Sequence, residues 1–238
     1  MSPAAAVLCI ALAVVGSLVQ GSIGFGFGVL IAPLLAMIDP EFVPGGILVA
    51  VLPLSLWVAA TSTRHVNTKA AALAVSGRIP GAFAGAAVVS VLSERMVALG
   101  LAAAVLVAVA LSVWSSPFRV TPGSTVVAGT TSGFMGTATG VGGPPLALLF
   151  QRSEPHMVRA TLAVVFTIGT AISIGALALA GEFTARQFRL GMMLIPGVVA
   201  GLAASHRWRH WFLGPHFRPL LLATCTVSAV VLAVQQLT

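Results

Sequence analysis

The sequence predicts an all-α integral membrane protein made of two homologous repeats, each with about four helical segments and a first segment broken by Gly and Pro. Composition is the first observation: of 238 residues, 58% are hydrophobic and only 7% are charged, whereas soluble domains carry about 25% charged residues. The second is a set of long apolar runs, and the third is a motif that occurs twice in one register. Together they place most of the chain inside a lipid bilayer.

The apolar runs define the predicted helices. A helix that crosses a bilayer needs about 20 mainly apolar residues, and strand-like alternation of the kind found in membrane barrels is absent. Polar or turn-forming stretches separate eight segments, two of which are interrupted. The segments are residues 4–38 (interrupted), 46–62, 70–92, 96–114, 124–150 (interrupted), 160–180, 190–205 and 219–235.

A duplication divides the chain into two predicted domains, residues 1–116 and 117–238. Arg78-Ile-Pro-Gly-Ala-Phe-Ala-Gly85 matches Leu194-Ile-Pro-Gly-Val-Val-Ala-Gly201, 116 residues later. The same offset aligns Gly24-Phe-Gly26 with Gly140-Val-Gly142. Two motifs that share one register indicate two repeats of four segments each.

Charge indicates how the repeats are oriented. Lys and Arg outnumber Asp and Glu by 12 to 5, and basic residues of short loops concentrate on the cytoplasmic side of a membrane. If each interrupted segment enters the membrane and returns to the same side, three crossings per repeat remain and the repeats are inverted. The basic residues then divide eight to three. The larger set is Arg64, Lys69, Arg119, Arg152, Arg159, Arg207, Arg209 and Arg218, and the smaller is Arg95, Arg186 and Arg189.

The two interrupted segments are predicted to be broken helices beside a polar site. Residues 22–28 and 137–145 bring several glycines, and in the second case two prolines, into apolar runs. Gly costs about 1 kcal/mol and Pro about 3 in a helix interior, and unwound backbone in a membrane is tolerated only against protein or a water-filled cavity. Close packing of helices through small residues is the alternative interpretation.

These residues resemble those of a known family. Gly21-Ser-Ile-Gly-Phe-Gly-Phe-Gly28, followed by Pro33-Leu-Leu35, and Gly136-Thr-Ala-Thr-Gly-Val-Gly-Gly-Pro-Pro145 are similar to the paired glycine motifs of the sulfite exporter TauE/SafE family. The two Ile-Pro-Gly-x-x-x-Gly stretches resemble its later motif. The resemblance covers nearly the whole chain and implies transport of sulfite, organosulfonates or related sulfur and carboxylate anions. The chain departs from the commonest form at Gly-Phe-Gly-Phe-Gly, where many members have a Gly-Gly-Gly core.

A broken helix can bind an anion without a cationic side chain. A helix that begins in mid-membrane directs unpaired N–H groups and the positive end of its dipole into the cavity. We therefore expect a small anionic substrate between the two breaks, with hydroxyls as added donors or as partners of their own helix backbone. The candidate substrate-binding residues are Ser22, Gly24, Gly26, Gly28, Arg78, Thr137, Thr139, Gly140, Gly142, Gly143 and Pro144.

Three residues within the apolar segments, Arg78, Pro80 and Pro196, each have two interpretations. Arg78 is a cation within an apolar segment, and such charges are usually functional. Its repeat counterpart is Leu194, and the alternative is that its helix begins later and its side chain reaches the interface. Pro80 and Pro196 are candidate hinges or static kinks.

Several classes of function are disfavoured. The sequence has no phosphate-binding Gly-x-x-x-x-Gly-Lys-Ser/Thr loop, no Gly-x-Ser-x-Gly elbow and no His-Glu-x-x-His, so we expect no enzyme activity and no cofactor. His206 and His210 have metal-compatible spacing without acidic or thiol support, and we predict no metal site. The basic residues form no nucleic-acid-binding face. We expect a multi-pass protein of the plasma or inner membrane that exports anions, although another solute or a role as an assembly subunit remains open.

Overall fold

The computed structural model describes residues 1–114, 119–212 and 217–237, and its regular structure is helical throughout that part of the chain. Two short 3-10 helices, Pro40–Phe42 and Thr63–His65, flank the third α-helix. The α-helices are α1 (Pro3–Ile23), α2 (Phe27–Ile38), α3 (Gly45–Thr61), α4 (Thr68–Val89), α5 (Glu94–Trp114), α6 (Pro122–Thr139), α7 (Gly143–Leu149), α8 (Pro155–Leu179), α9 (Ala185–Phe212) and α10 (Phe217–Leu237).

The helices are long and apolar enough for a membrane protein. In the described part of the chain, four reach the length and mean hydropathy of a crossing helix: Pro3–Ile23, Thr68–Val89, Pro155–Leu179 and Ala185–Ser205. Phe27–Ile38, Gly45–Thr61 and Leu222–Leu237 are apolar but shorter. Large apolar side chains such as Val7, Leu179 and Val199 are exposed on the outer faces of these helices, which is the arrangement expected where lipid is the solvent.

The interrupted segments are pairs of helices. Residues 4–38 form α1 and α2, and residues 124–150 form α6 and α7. The predicted starts of two later segments were too late, since α8 begins at Pro155 and α9 at Ala185. In both helices the first turn is polar, so hydropathy alone places it in the preceding loop.

Glycines set the closest helix contacts. A Cβ on Gly77, Gly81 or Gly85 of α4 would collide with the backbone of α6 at Val126, Thr130 and Phe134 in turn. The residue numbers increase in the same direction along both helices, so α4 and α6 run parallel with their backbones in contact. In the same way Gly197 and Gly201 of α9 lie against Ile10 and Val14 of α1. The glycines of both Ile-Pro-Gly-x-x-x-Gly stretches therefore pack helices.

The same contacts give the direction of the central helices. Asn67, before α4, donates its N–H to Thr161 near the start of α8, and Ala86 and Val89 at the end of α4 share a cluster with Leu177 at the end of α8. The helices α4, α6 and α8 therefore start at one end of the bundle. Leu48, at the start of α3, belongs to that same cluster, so α3 runs antiparallel to α8.

The two ends of the bundle differ in charge. The basic end, where α4, α6 and α8 begin, carries Arg64, Lys69, Arg119 and Arg152 with one acid, Glu154. The acidic end, where α3, α5 and α9 begin, carries Asp39, Glu41, Glu94 and Glu182 together with Arg95, Arg186 and Arg189. There Arg186 Nη2 lies 2.7 Å from Asp39 Oδ2 and joins the end of α2 to the start of α9.

Candidate functional site

The first break lies between α1 and α2. The chain leaves α1 through Gly24, at φ 97°, and enters α2 from Gly26, at φ 118°. Both angles are in the left-handed region, which glycine adopts without a Cβ clash. The side chain of Gln20 spans this break, because its Oε1 accepts the N–H of Phe27 at 3.2 Å and its Nε2 donates to Ser55 Oγ at 3.2 Å.

The N-terminus of α2 therefore retains donors. The first four N–H groups of a helix have no acceptor within it. Gln20 takes one of them, that of Phe27, while Gly28 and Val29 belong to the same first turn and line a cavity.

The second break differs in what it offers an anion. Here α6 ends at Gly140, with φ 75°, and α7 begins at Gly143. Helix α7 has only seven residues and starts Gly-Pro-Pro, so Pro144 and Pro145 remove two of its first N–H groups. The two breaks are thus unequal as anion sites, and α2 supplies more donors than α7.

The two breaks are in contact with each other. A Cβ on Gly28 would collide with the carbonyl oxygen of Gly140, and a Cβ on Gly143 would lie 3.3 Å from the Cβ of Phe25. The two breaks are more than 100 residues apart in the sequence, and the absence of side chains at these glycines lets their backbones touch.

A cavity of about 30 Å³ lies at this contact. It is lined by six of the residues predicted from the sequence: Gly26, Gly28, Arg78, Gly140, Gly142 and Gly143. Its polar side chains are those of Arg78, Gln20 and Thr170. The last two were missed, although a glutamine within an apolar helix was a visible signal for Gln20.

Arg78 brings a buried positive charge to the cavity. Its side chain is 1% exposed, and α4 begins at Thr68, ten residues earlier, so the interpretation in which Arg78 reaches the interface is wrong. Its Nη1 donates to Ser132 Oγ at 2.6 Å, and its Cζ lies 5.5 Å from the centroid of the Phe166 ring. Within the described part of the chain, its Nε has no acceptor. A buried guanidinium with a spare donor is suited to an anion.

The remaining candidates lie outside the cavity lining. Ser22 donates to the carbonyl of Leu18 at 2.7 Å and Thr139 to that of Met135 at 2.8 Å, so these hydroxyls bond to their own helices. Thr137 donates to Ser173 Oγ at 2.7 Å and joins α6 to α8. Gly24 packs its Cα against α8, and Pro144 is buried in α7.

The two predicted hinge residues lie inside continuous helices. Pro80 is within α4 and Pro196 within α9. Each precedes a packing glycine, Gly81 or Gly197. Movement at these positions remains a prediction.

Arg159 is a second buried arginine, and the sequence did not identify it as part of the site. It was expected in a loop at the basic end. It lies instead in α8 with 9% of its surface exposed. Its Nε donates to the carbonyl of Gly21 and its Nη1 to Ser62 Oγ, both at 2.7 Å. It thus binds the end of α1 directly before the first break.

The described residues were compared with the ligand groups that a metal ion needs. Among the described residues, no group of three or more His, Cys, Asp or Glu side chains is close enough to hold a metal ion. The side chains of His206 and His210 lie outside the described part of the structure.

Comparison with known proteins identifies a family. The family model described as "Sulfite exporter TauE/SafE" matches residues 8–232 of the chain. No curated protein and no solved structure matches it.

Proposed function

The chain belongs to the sulfite exporter TauE/SafE family, and from that membership we propose that it exports a small anion through a mid-membrane site between its two glycine breaks. The family consists of membrane transporters, so the chain is a multi-pass membrane transporter and not an enzyme. Sulfur anions are the family's substrates. For this chain we propose sulfite, an organosulfonate or a related sulfur or carboxylate anion.

The buried guanidinium of Arg78 carries the proposal. An isolated charge in a low-dielectric interior is costly unless it is paired, and within the described cavity lining no carboxylate accompanies Arg78. The N-terminal turn of α2 adds N–H donors and the positive end of a helix dipole on the same cavity. An anion in the cavity would satisfy both groups at once.

We propose further that residues 1–116 and 117–238 are inverted repeats with three crossings and one re-entrant pair of helices each. The antiparallel course of α3 and α8, which occupy corresponding places in the two halves, supports this plan. The packing of the first helix of each half on a helix of the other half, α1 on α9 and α6 on α4, also supports it. In this plan α1–α2 enters from the acidic end and α6–α7 from the basic end.

The charge of the two ends supports an orientation. Basic loops face the cytoplasm, so we propose that the basic end is cytoplasmic and that both chain ends face outward. The proposed location is the plasma or inner membrane.

The location of the acidic residues supports export without a coupling ion. Proton coupling is usually carried by an acidic or histidine side chain inside the membrane. The five acids are Asp39, Glu41, Glu94, Glu154 and Glu182, and each lies in a turn or at a helix start. The membrane potential, negative inside, favours the exit of an anion by about 2.3 kcal/mol per charge for each 100 mV. Export thus proceeds without the ion that import would require.

A panel of radiolabelled anions tests the proposal. The purified chain, reconstituted in liposomes, is expected to release sulfite or a related anion faster than protein-free liposomes and faster than vesicles holding the Arg78→Leu variant. Release of none of the anions by the purified chain would contradict transport by this protein alone and would favour an assembly role. Release of a cation or neutral solute would contradict an anion site.

A further inference from the structure

In the proposed export, the anion must reach the cavity between the two breaks from the basic end. Polar contacts join the helices at that end, next to the first break, so an anion that enters from there has to pass them.

A group of polar contacts, which we name the basic-end seam, joins the α3–α4 connection to the first turns of α8. Arg159 Nη1 donates to Ser62 Oγ at 2.7 Å. The N–H of Asn67 donates to Thr161 Oγ1 at 3.0 Å. The rings of His65 and His156 lie with their centroids 5.6 Å apart.

Arg159 connects this seam to the first glycine break. Its Nε donates to the carbonyl of Gly21, one of the last carbonyls of α1, where the helix dipole is negative and favours a cation. Its Cα is also so close to Gly24 that a Cβ on the glycine would lie 2.8 Å from it. One side chain thus binds α1, α3 and α8 at the point where α1 ends.

Resting on the proposed function, we infer that Arg159 is a positioning residue that closes the basic end of the pathway and holds the first break in its binding geometry. When the start of α8 moves away from the ends of α1 and α3, Arg159 loses Gly21 and Ser62 together. Opening of the seam and rearrangement of the break are therefore one event. Arg159 does not line the cavity, so its role is distinct from that of Arg78.

The shape of the guanidinium explains why arginine suits this position. Its planar fork presents donors in two directions, to Gly21 and Ser62, whereas a lysine ammonium is a compact charge on a flexible stem. Arg159→Lys is therefore expected to retain the charge but to lose the simultaneous contact with both acceptors.

Cross-linking tests whether the seam must open. In a chain with Cys9 and Cys225 replaced by alanine, His65→Cys and His156→Cys are joined by a short bis-maleimide, and cross-linking is measured by mass spectrometry. Anion release is expected to stop in cross-linked protein and to continue when only one of the two cysteines is present. Cross-linked protein that still transports would overturn the inference, and so would failure to cross-link, because the two side chains would not then be neighbours.

A second measurement needs no substrate and so separates this inference from the proposed function. Ser22, which is 1% exposed beside the break, is changed to Cys, and its labelling by a membrane-impermeant thiol reagent is followed from the basic end. Loss of two charge-assisted hydrogen bonds in Arg159→Gln is expected to accelerate labelling by about tenfold or more, with a smaller acceleration in Arg159→Lys. Arg152→Gln, an exposed arginine of the same end, is the control and should leave the rate unchanged.

Transport kinetics of the same variants complete the test. We expect Arg159→Gln to raise KM for release while Arg159→Lys recovers part of the loss, because the charge at the end of α1 is restored. Equal labelling rates in wild type and Arg159→Gln would overturn the closing role even if transport were lost. If the wild type transports no anion but Arg159→Gln is labelled faster, the closing contact stands and the proposed function is what fails.

Discussion

Replacement of Arg78 by leucine separates the binding site from the fold. Leucine is the residue at the equivalent position of the second repeat, Leu194, where it is fully buried in a continuous helix. Ser132 would lose the donor at 2.6 Å, but its own hydroxyl would still donate to the carbonyl of Gly142. Among the described residues, the hydrogen bond of the Arg78 side chain goes to a hydroxyl and not to a carbonyl, so we expect Arg78→Leu to insert normally and to unfold at an unchanged or higher temperature.

The effect of Arg78→Leu on transport should be large, because the variant loses the proposed buried pair between the guanidinium and the bound anion. Two unit charges about 4 Å apart interact by about 4 kcal/mol at an effective dielectric constant of about 20. At about 1.4 kcal/mol per factor of ten, affinity for a singly charged anion should fall by about a thousandfold. Release of labelled sulfite from proteoliposomes measures this loss, with Arg189→Leu, an exposed arginine at the acidic end, as the control. An Arg78→Leu variant with wild-type KM would refute the site.

Two further predictions concern the glycine contacts and the topology. Gly28→Ala should lower the unfolding free energy by about 1–3 kcal/mol and impair release, because its methyl group meets the Gly140 carbonyl and overpacking has a cost of that size. The control is Gly175→Ala, which has open space around it and should stabilise α8 by up to about 1 kcal/mol. A similar effect at both sites would contradict the contact between the breaks. Single cysteines at Asn67 and Ser153 should react with impermeant reagents only from the cytoplasm, and tags at both chain ends only from outside; chain ends on opposite sides would contradict the inverted plan.

The parts of this fold that follow from local chemistry were predictable. Glycine at Gly24, Gly26 and Gly140 permits the positive φ angles at which α1 and α6 end and α2 begins, and this preference belongs to the residue itself. Long apolar runs likewise predict helices without knowledge of their neighbours. The glycines of the Ile-Pro-Gly-x-x-x-Gly stretches were harder to interpret, since the sequence does not indicate which helix they meet.

The chemistry of the site depended on contacts between distant segments. Arg78 reaches Ser132, 54 residues away, and Arg159 reaches Gly21, 138 residues away. The spacing of a single sequence holds no information about either pair. Gln20 has no polar counterpart, since the equivalent residue of the second repeat is Gly136, so the duplication does not point to it. The polar groups of this cavity are those in which the two halves differ.

The most direct test of the account is the response of anion release to membrane potential. Vesicles that contain the purified chain and a labelled sulfur anion are loaded with potassium and diluted into a potassium-free buffer, with no sodium or pH gradient. Valinomycin then makes the interior negative, and efflux should accelerate, since each charge gains about 2.3 kcal/mol per 100 mV. Efflux that ignores this potential but follows an imposed sodium or proton gradient would contradict uncoupled export through a site formed by Arg78 and the N-terminus of α2.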